Sequence, residues 1–327
     1  MELSEAIRRL DGLAGGFQRS KILFTALDVD LFEHLKTPRT AGEVASEVGW
    51  HPRGARMLLD GLVALNLVEK VDGRYQNGEP ARECLVEGAP KDQRHILRHK
   101  GHSWDTWARL DDLVKTGGPP PPRERSDKET RAFICGMNDI AKESAAGMVQ
   151  ALDLSGYRHM LDLGGGPATY SIAFLKANPA LGSTVFDLPH VRPIGWEVDE
   201  AEGMSKLISF IEGDMTTDAF GAGYDLVLAS NIIHSWSYER NQEIVQKCFD
   251  AMEPGGLLII KDFLLDSGRA GPAFGLVFAL HMFVNTQEGD TYTIDDVAAW
   301  TNAAGFEPGT LKDLTPQSRL WLAKKPA

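Results

Sequence analysis

The sequence predicts an α/β fold, in which a parallel sheet carries helices on both of its faces and follows a mostly helical N-terminal domain. Two observations predict the sheet. Strand-like and helix-like segments alternate after residue 158, and the first strand, 159–163, leads into three consecutive glycines at 164–166. The helical domain is predicted by apolar residues at three- and four-residue spacing in the first third of the chain. The 327 residues are thereby divided into domains 1–118 and 119–327.

The N-terminal domain is predicted to be a winged helix. Residues 22–35 have the apolar spacing of an amphipathic helix. Thr40 is placed to cap the next helix, and Glu43, three residues later, completes a capping box. After a further helix, the dipeptide Asp72-Gly73 predicts the turn of a two-stranded wing.

Charge and composition argue against several classes of protein. A net charge of −12 is poorly suited to the nucleic-acid backbone, so we expect the winged helix to serve in packing and dimerisation. The three cysteines are far apart, which indicates neither a disulfide framework nor a zinc site. The N-terminal segment lacks the apolar core of a signal peptide, and no apolar run reaches the ~20 residues that span a bilayer. We therefore expect a cytoplasmic protein.

The C-terminal domain has the elements of an α/β sheet in regular order. A proline-rich stretch, 117–122, marks the boundary, and a helix is expected from about 127 to 152. A closing pair of strands is expected near the C-terminus. The preceding strands are predicted at 159–163, 183–187, 208–212, 224–229 and 257–263.

Glycines and acidic strand ends predict a site for S-adenosylmethionine. The glycines allow the backbone to approach a ligand closely, and an acidic residue at the next strand end can accept both hydroxyls of a ribose. An acidic and apolar pair after the third strand can meet the edge and face of adenine. The residues expected to bind the cofactor are Asp162, Gly164, Gly165, Gly166, Asp187, Leu188, Gly213, Asp214, Met215, Ser230 and Asn231.

NAD is the rival cofactor. The segment GGGPAT supplies the first two glycines of a dinucleotide fingerprint, but Thr169 stands where the third is required. Because that glycine allows close packing of helix and strand, its absence favours S-adenosylmethionine.

Taken together, the chain resembles the two-domain, S-adenosylmethionine-dependent small-molecule O-methyltransferases, which include plant phenolic and bacterial acetylserotonin-type enzymes. The resemblance rests on LDLGGGPATYS, VFDLPHV, FIEGDM, YDLVLASNIIHSW, PGGLLIIKDFLL and AAGFE. It implies a Rossmann-like methyltransferase sheet and a homodimer formed through the winged-helix domain. The expected acceptor is a hydroxyl of a small, aromatic molecule, with no nucleic-acid or membrane partner.

The resemblance also implies that His234 is the general base. In the family this histidine takes the proton of the acceptor hydroxyl, and imidazole is a suitable base at neutral pH. The family often orients it with a Glu in a later loop, but the matching stretch, 288–293, places Thr291 at that position. Glu288 or Asp290 could substitute only if the loop shifts. Without a carboxylate partner the base would be weaker, which favours an easily ionised acceptor.

Two helices and two tryptophans are expected to line the acceptor pocket, by the same resemblance. The substrate-binding residues are predicted to be Trp104, Phe133, Met137, Trp236, Phe278, His281, Met282 and Asn285. His95, His99 and His102 share one helical face and could hold a metal ion, but a polar patch or pocket wall is the better interpretation, and no metal is expected.

Three alternatives remain open. The same pocket could methylate sulfur or carbon. The chain could also bind the cofactor or a metabolite without transferring a methyl group. A DNA-binding regulator is the weakest alternative.

Overall fold

The computed structural model describes residues 3–120 and 127–327 and divides into two compact units, Met1–Trp104 and Asp105–Ala327. Within these described residues, no helix combines the length and the apolar character needed to cross a membrane. The elements of the first unit are α1 (Leu3–Asp28), α2 (Leu31–His34), α3 (Ala41–Val48), α4 (Pro52–Ala64), β1 (Val68–Val71), β2 (Arg74–Asn77), α5 (Glu79–Cys84) and α6 (Arg94–His102).

In the first unit, the predictions that depend on residues close together in the sequence are confirmed. Thr40 and Glu43 form the capping box of α3. Asp72 and Gly73 both have positive φ, 49° and 76°, which closes the hairpin between β1 and β2. The helix predicted at 22–35 is wrong at both ends, because α1 begins at Leu3 and a left-handed Asp30 (φ 52°) separates it from α2.

The N-terminal half of α1 exposes an apolar stripe. Its members recur every three or four residues and are between 51 % and 78 % exposed. A single row of this kind on a helix is the pattern of a surface that packs against another helix. The stripe consists of Leu3, Ile7, Leu10, Leu13 and Phe17.

The second unit contains the main sheet. α7 (Trp104–Trp107) spans the division between the units. The later elements are α8 (Leu110–Thr116), α9 (Asp127–Ala151), β3 (His159–Leu163), α10 (Thr169–Ala177), β4 (Gly182–Asp187), α11 (Arg192–Ala201), β5 (Ile208–Glu212), β6 (Tyr224–Ser230), α12 (Tyr238–Ala251), β7 (Met252–Asp262), α13 (Ala273–Asn285), α14 (Ile294–Ala304), β8 (Thr310–Asp313) and β9 (Arg319–Lys324).

The sheet has the strand order β5-β4-β3-β6-β7-β9-β8. The five strands from β5 to β7 are parallel, and β8 and β9 form the expected antiparallel closing pair. β7 is longer than predicted, since it begins at Met252 rather than at residue 257. β4 lies on one side of β3 and β6 on the other, so the order of the strands reverses between β3 and β6. Ligands of open α/β sheets bind outside the carboxyl ends of the strands at such a switch point.

Both faces of the sheet are covered by helices, as predicted. One core cluster joins β3, β6 and β7 to α12 and α14 and contains the buried Trp300. The other joins the opposite face of the same strands to α9 and α10 and contains Met148 and Phe174. The strand ends at the switch point therefore lie between two packed layers, which fixes the positions of the side chains that follow them.

Candidate active site

The glycine loop after β3 needs glycine at two positions for steric reasons. Gly164 has φ +63°, and a Cβ there would lie 2.4 Å from Cδ1 of Ile232. A Cβ on Gly165 would lie 2.7 Å from Cγ of Asp162. Real Cβ atoms do not approach neighbours this closely, so a side chain at either position would force the loop or the contacted side chain to shift.

Asp162 lies beneath this loop. Its side chain is almost fully buried and accepts a hydrogen bond of 2.6 Å from Oγ of Ser171. Burial raises the pKa of the Asp162 carboxyl to about 6. The carboxylate therefore contacts the loop and α10 from within the protein.

Asp187 ties the glycine loop to the end of β4. Its two carboxylate oxygens accept backbone hydrogen bonds from Gly166 (2.8 Å) and Leu188 (2.7 Å). Burial raises its pKa, although both hydrogen bonds oppose the shift. Its carbonyl oxygen accepts from the backbone N–H of Gly213 at 3.0 Å, so the ends of β3, β4 and β5 are held together.

The turn after β5 brings Asp214 and Met215 to the same edge. The carboxylate of Asp214 accepts from the backbone N–H and the hydroxyl of Thr216, and the side-chain hydrogen bond lowers its pKa most. Cε of Met215 lies 3.3 Å from the position that a Cβ on Gly164 would take. The apolar side chain of Met215 therefore borders the glycine loop, and the acidic Asp214 precedes it in the chain.

The end of β6 supplies Ser230 and Asn231. Asn231 adopts a left-handed conformation (φ 56°), and its Oδ1 accepts from Nζ of Lys261 at 3.0 Å. The hydroxyl of Ser230 is buried and has no hydrogen-bond partner within the described residues.

His234 is held by a carboxylate that the sequence analysis missed. It lies in the short 3₁₀ turn Ile233–Ser235 after β6, and its Nδ1 is 2.8 Å from Oδ1 of Asp262. Asp262 ends β7 and is only 2 % exposed. A carboxylate can only accept, so Nδ1 carries the proton and Nε2 is the ring's proton acceptor. The sequence left open whether an acidic residue orients His234, and Asp262 is such a residue.

The loop that was expected to supply this carboxylate has other partners. Glu288 accepts from Nε of Arg240 at 3.1 Å, and Asp290 pairs with Arg269 at 2.7 Å. Thr291 is buried and donates to the carbonyl of Gly275 at 3.1 Å. This loop positions the backbone of the base instead, since the backbone N–H of Asp290 donates to the carbonyl of His234 at 3.1 Å.

Aromatic rings surround the imidazole of His234. The ring of Phe263 stacks on it (6.0 Å between centroids, 18° between planes), and Phe278 meets it edge to face at 5.1 Å. Phe274 packs on both phenylalanines. Of these three rings, only Phe278 was predicted.

A polar pair continues this aromatic cluster along α13. His281 lies one turn from Phe278, with 5.5 Å between the ring centroids. Its Nδ1 accepts from Nε1 of Trp107 (3.2 Å), with Nδ2 of Asn285 at 3.3 Å. Since Nδ1 is an acceptor, the neutral ring carries its proton on Nε2.

The other predicted acceptor residues lie in several environments. Met282 is a buried residue of α13, and Met137 is half-buried on α9. Phe133 packs on the small cluster around Ile194.

The two predicted tryptophans have partners of their own. The half-buried ring of Trp236 packs on the α12 and α14 core, with the guanidinium of Arg240 5.7 Å from its centroid. Trp104 belongs to the first unit, where it packs edge to face on Phe24 with Nζ of Lys21 over its ring.

Comparison with known proteins assigns the family. Residues 119–307 match the O-methyltransferase domain, and residues 12–87 match the O-methyltransferase dimerisation domain. The chain belongs to the O-methyltransferase family. It is an enzyme of the S-adenosylmethionine-dependent class, as the sequence motifs indicated.

Two curated relatives and one solved structure illustrate this membership. The chain is 32 % identical to a 3-hydroxy-5-methyl-1-naphthoate 3-O-methyltransferase from Streptomyces sahachiroi, over 90 % of this chain and 88 % of the relative. It is 31 % identical to the acetylserotonin O-methyltransferase of Bos taurus, over 92 % of this chain and 93 % of the relative. Human N-acetylserotonin methyltransferase, solved in complex with S-adenosylmethionine, is 28 % identical and superimposes with a TM-score of 0.88 over the whole of both chains.

Proposed function

We propose that this O-methyltransferase methylates a hydroxyl group of a small aromatic acceptor, with His234 as the general base. The observation that carries the proposal is the hydrogen bond between His234 and the buried Asp262. It fixes the tautomer in which Nε2 accepts a proton, and it places a negative charge beside the ring that becomes cationic.

The residues at the switch point fit S-adenosylmethionine. The glycine loop has no room for side chains at Gly164 and Gly165, as expected where backbone must close on a ligand. The Asp187 carboxylate at the end of β4 has lone pairs beyond its two backbone hydrogen bonds and can accept ribose hydroxyls. The hydroxyl of Ser230, which is buried without a hydrogen-bond partner among the described residues, indicates a polar group that completes the site. The bound cofactor would supply a methyl group on a sulfonium.

Further contacts to the cofactor are assigned by position. Asp214 and Met215 lie at the third strand end, where they would meet adenine, and Asn231 follows the fourth strand. Asp162 is buried beneath the glycine loop and would support it without reaching the cofactor through solvent-exposed atoms. Gly166, Leu188 and Gly213 complete the proposed set, and their backbone N–H groups bond Asp187 and hold the strand ends at the site.

Removal of the acceptor proton is assigned to Nε2 of His234. As that proton arrives, the imidazole becomes an imidazolium whose Nδ1–H already bonds Asp262, so the charge is balanced at 2.8 Å without rearrangement. A positioned base of this kind contributes roughly 10²–10⁴-fold to the rate.

An aromatic acceptor is supported by the rings around the base. Phe263, Phe278 and Phe274 offer flat apolar surfaces, and planar rings pack on each other at 4.5–7 Å. The names of the two curated relatives, a hydroxynaphthoate and an acetylserotonin methyltransferase, agree with an acceptor of this class.

A homodimer is the proposed assembly. The match to the dimerisation domain over residues 12–87 and the exposed apolar stripe of α1 both support it.

The proposed function is tested by methyl transfer from S-adenosylmethionine with a deuterated methyl group. The acceptors are 3-hydroxy-5-methyl-1-naphthoate, N-acetylserotonin, simple phenols, and a thiol analogue of each phenol. We expect product with the label on oxygen and a 10²–10⁴-fold lower rate for His234→Ala, with His159→Ala, an exposed histidine at the start of β3, as the unaffected control. Label on sulfur or carbon alone, or no product despite tight binding of S-adenosylhomocysteine, would contradict the proposal.

A further inference from the structure

Lys261 is a buried cation at the end of β7. It is 3 % exposed and lies in register with Ser230 of the neighbouring parallel strand β6. Side chains that are in register on adjacent strands point to the same face of a sheet. Lys261 and Ser230 therefore share the α9 and α10 face, whereas Asp262, the next residue, points to the other face and meets His234.

The ammonium of Lys261 has fewer partners than its burial requires. Within residues 3–120 and 127–327 it makes one hydrogen bond, to Oδ1 of Asn231 at 3.0 Å, and no ion pair. An ammonium has three N–H donors. The nearby hydroxyl of Ser230 is also buried without a partner in the same part of the chain. A buried charge is costly unless it is paired, so two incompletely satisfied polar groups side by side indicate a missing ligand.

The position of the ammonium links it to the reacting centre. Nζ of Lys261 lies 5.6 Å from the centroid of the Phe263 ring. The imidazole of His234 is stacked on the same ring, with 6.0 Å between the centroids. One phenylalanine thus contacts both the proposed base and the buried cation.

We propose that Lys261 and Ser230 form a subsite for a carboxylate oxygen beside the methyl-transfer centre. The inference rests on the proposed function and deepens it by naming a charged group among the ligands. Two sources can supply such an oxygen: an acidic substituent of the acceptor, or the amino-acid carboxylate of the cofactor. Asn231 holds the ammonium towards this position through its Oδ1.

The experiment is a calorimetric titration of the wild type, Lys261→Met, Lys261→Arg and Ser230→Ala. The cofactor arm compares S-adenosylhomocysteine with 5′-methylthioadenosine, which lacks the amino-acid carboxylate. The acceptor arm compares 3-hydroxy-2-naphthoate with 2-naphthol on enzyme saturated with S-adenosylhomocysteine. Lys325→Met is the control, because Lys325 is a half-buried lysine near the other end of β7 whose ammonium donates to two backbone carbonyl oxygens.

The two arms distinguish the sources. A charge-assisted hydrogen bond lost from a buried site corresponds to roughly 10- to 100-fold in affinity. If the cofactor supplies the oxygen, Lys261→Met weakens S-adenosylhomocysteine by that factor and leaves methylthioadenosine unchanged. If the acceptor supplies it, Lys261→Met instead abolishes a preference for the naphthoate over the naphthol. Lys261→Arg keeps most of either effect, and Ser230→Ala gives a smaller loss of the same kind.

The contradicting results are equally specific. Unchanged affinities in both arms for Lys261→Met and Ser230→Ala would overturn the inference, and so would equal losses for both members of each pair. Should Lys261→Met fail to fold, as judged by thermal unfolding, Ser230→Ala and Lys261→Arg decide the question. Failure of the proposed function shows separately, as S-adenosylhomocysteine binding without methylation of any acceptor.

Discussion

Replacing Asp262 by Asn tests whether the buried carboxylate acts through His234. The variant keeps the size of the side chain and removes its negative charge. An imidazolium about 4 Å from a carboxylate is stabilised by about 4 kcal/mol at an effective dielectric constant of 20. Because the two atoms are 2.8 Å apart and Asp262 is 2 % exposed, most of this interaction is retained in the protein. We therefore expect kcat/KM to fall by about 10²–10³-fold.

The assay compares four proteins on one acceptor: wild type, Asp262→Asn, His234→Ala and the double variant. If Asp262 acts only through the base, the double variant is no slower than His234→Ala, because residues that work as a unit are not additive. Asp290→Asn is the control, since Asp290 bonds Arg269 and touches His234 only through its backbone. S-adenosylhomocysteine affinity should be unchanged throughout.

The reasoning would be refuted by either of two results. A folded Asp262→Asn enzyme within threefold of the wild-type rate would show that the carboxylate does not support the base. A double variant whose loss is the product of the single losses would show that the two residues act independently.

Three further predictions concern the loop, the buried acid and the assembly. Gly164→Ala should lose about 1–3 kcal/mol of unfolding free energy and at least tenfold in S-adenosylhomocysteine affinity, because a Cβ there meets Ile232 at 2.4 Å with φ at +63°. Asp162→Asn should remove a pH-dependent destabilisation of up to about 3 kcal/mol that develops between pH 4 and 6, since burial raises the Asp162 pKa from 3.8 to about 6. Leu10→Lys in the exposed stripe should convert the dimer to a monomer in light scattering, while Gln18→Lys should not.

The sign of the pH effect follows from proton counting. Between pH 4 and 6 the folded chain keeps the Asp162 proton that the unfolded chain releases, so unfolding free energy falls as pH rises through this window. The wild-type stability relative to Asp162→Asn should therefore decline from pH 4 to pH 6. A difference in unfolding free energy between wild type and Asp162→Asn that stays constant from pH 4 to pH 6 would contradict the raised pKa of Asp162. Unchanged cofactor affinity in Gly164→Ala would contradict the prediction for the glycine loop. A dimeric mass for Leu10→Lys would contradict the prediction for the apolar stripe.

Most of the fold could be predicted because its signals are local. The capping box at Thr40 and the turn at Asp72 depend on residues that are adjacent in sequence, and the strand of residues 208–212 was predicted at the observed bounds. The break at Asp30 was missed because the apolar spacing of residues 22–35 continues across it.

The partner of His234 could not be found by the same means. Asp262 is 28 residues away and meets the imidazole only because β6 and β7 are adjacent and parallel, with Ser230 opposite Lys261. The available signal was an acidic residue at the end of a buried strand, the pattern that had already identified Asp162 and Asp187. Sequence similarity directed attention to the loop at 288–293 instead, where the acids are bound to arginines.

The most direct test of base catalysis is the dependence of kcat/KM on the pKa of the acceptor, measured for a series of substituted phenols. With the wild type we expect a shallow dependence, because His234, held by Asp262, removes the proton during transfer. With His234→Ala we expect a steep dependence, in which weakly acidic phenols lose 10²–10⁴-fold and the most acidic ones lose far less. The same slope in both enzymes, with an equal loss for every phenol, would contradict the central claim that His234 acts as the base.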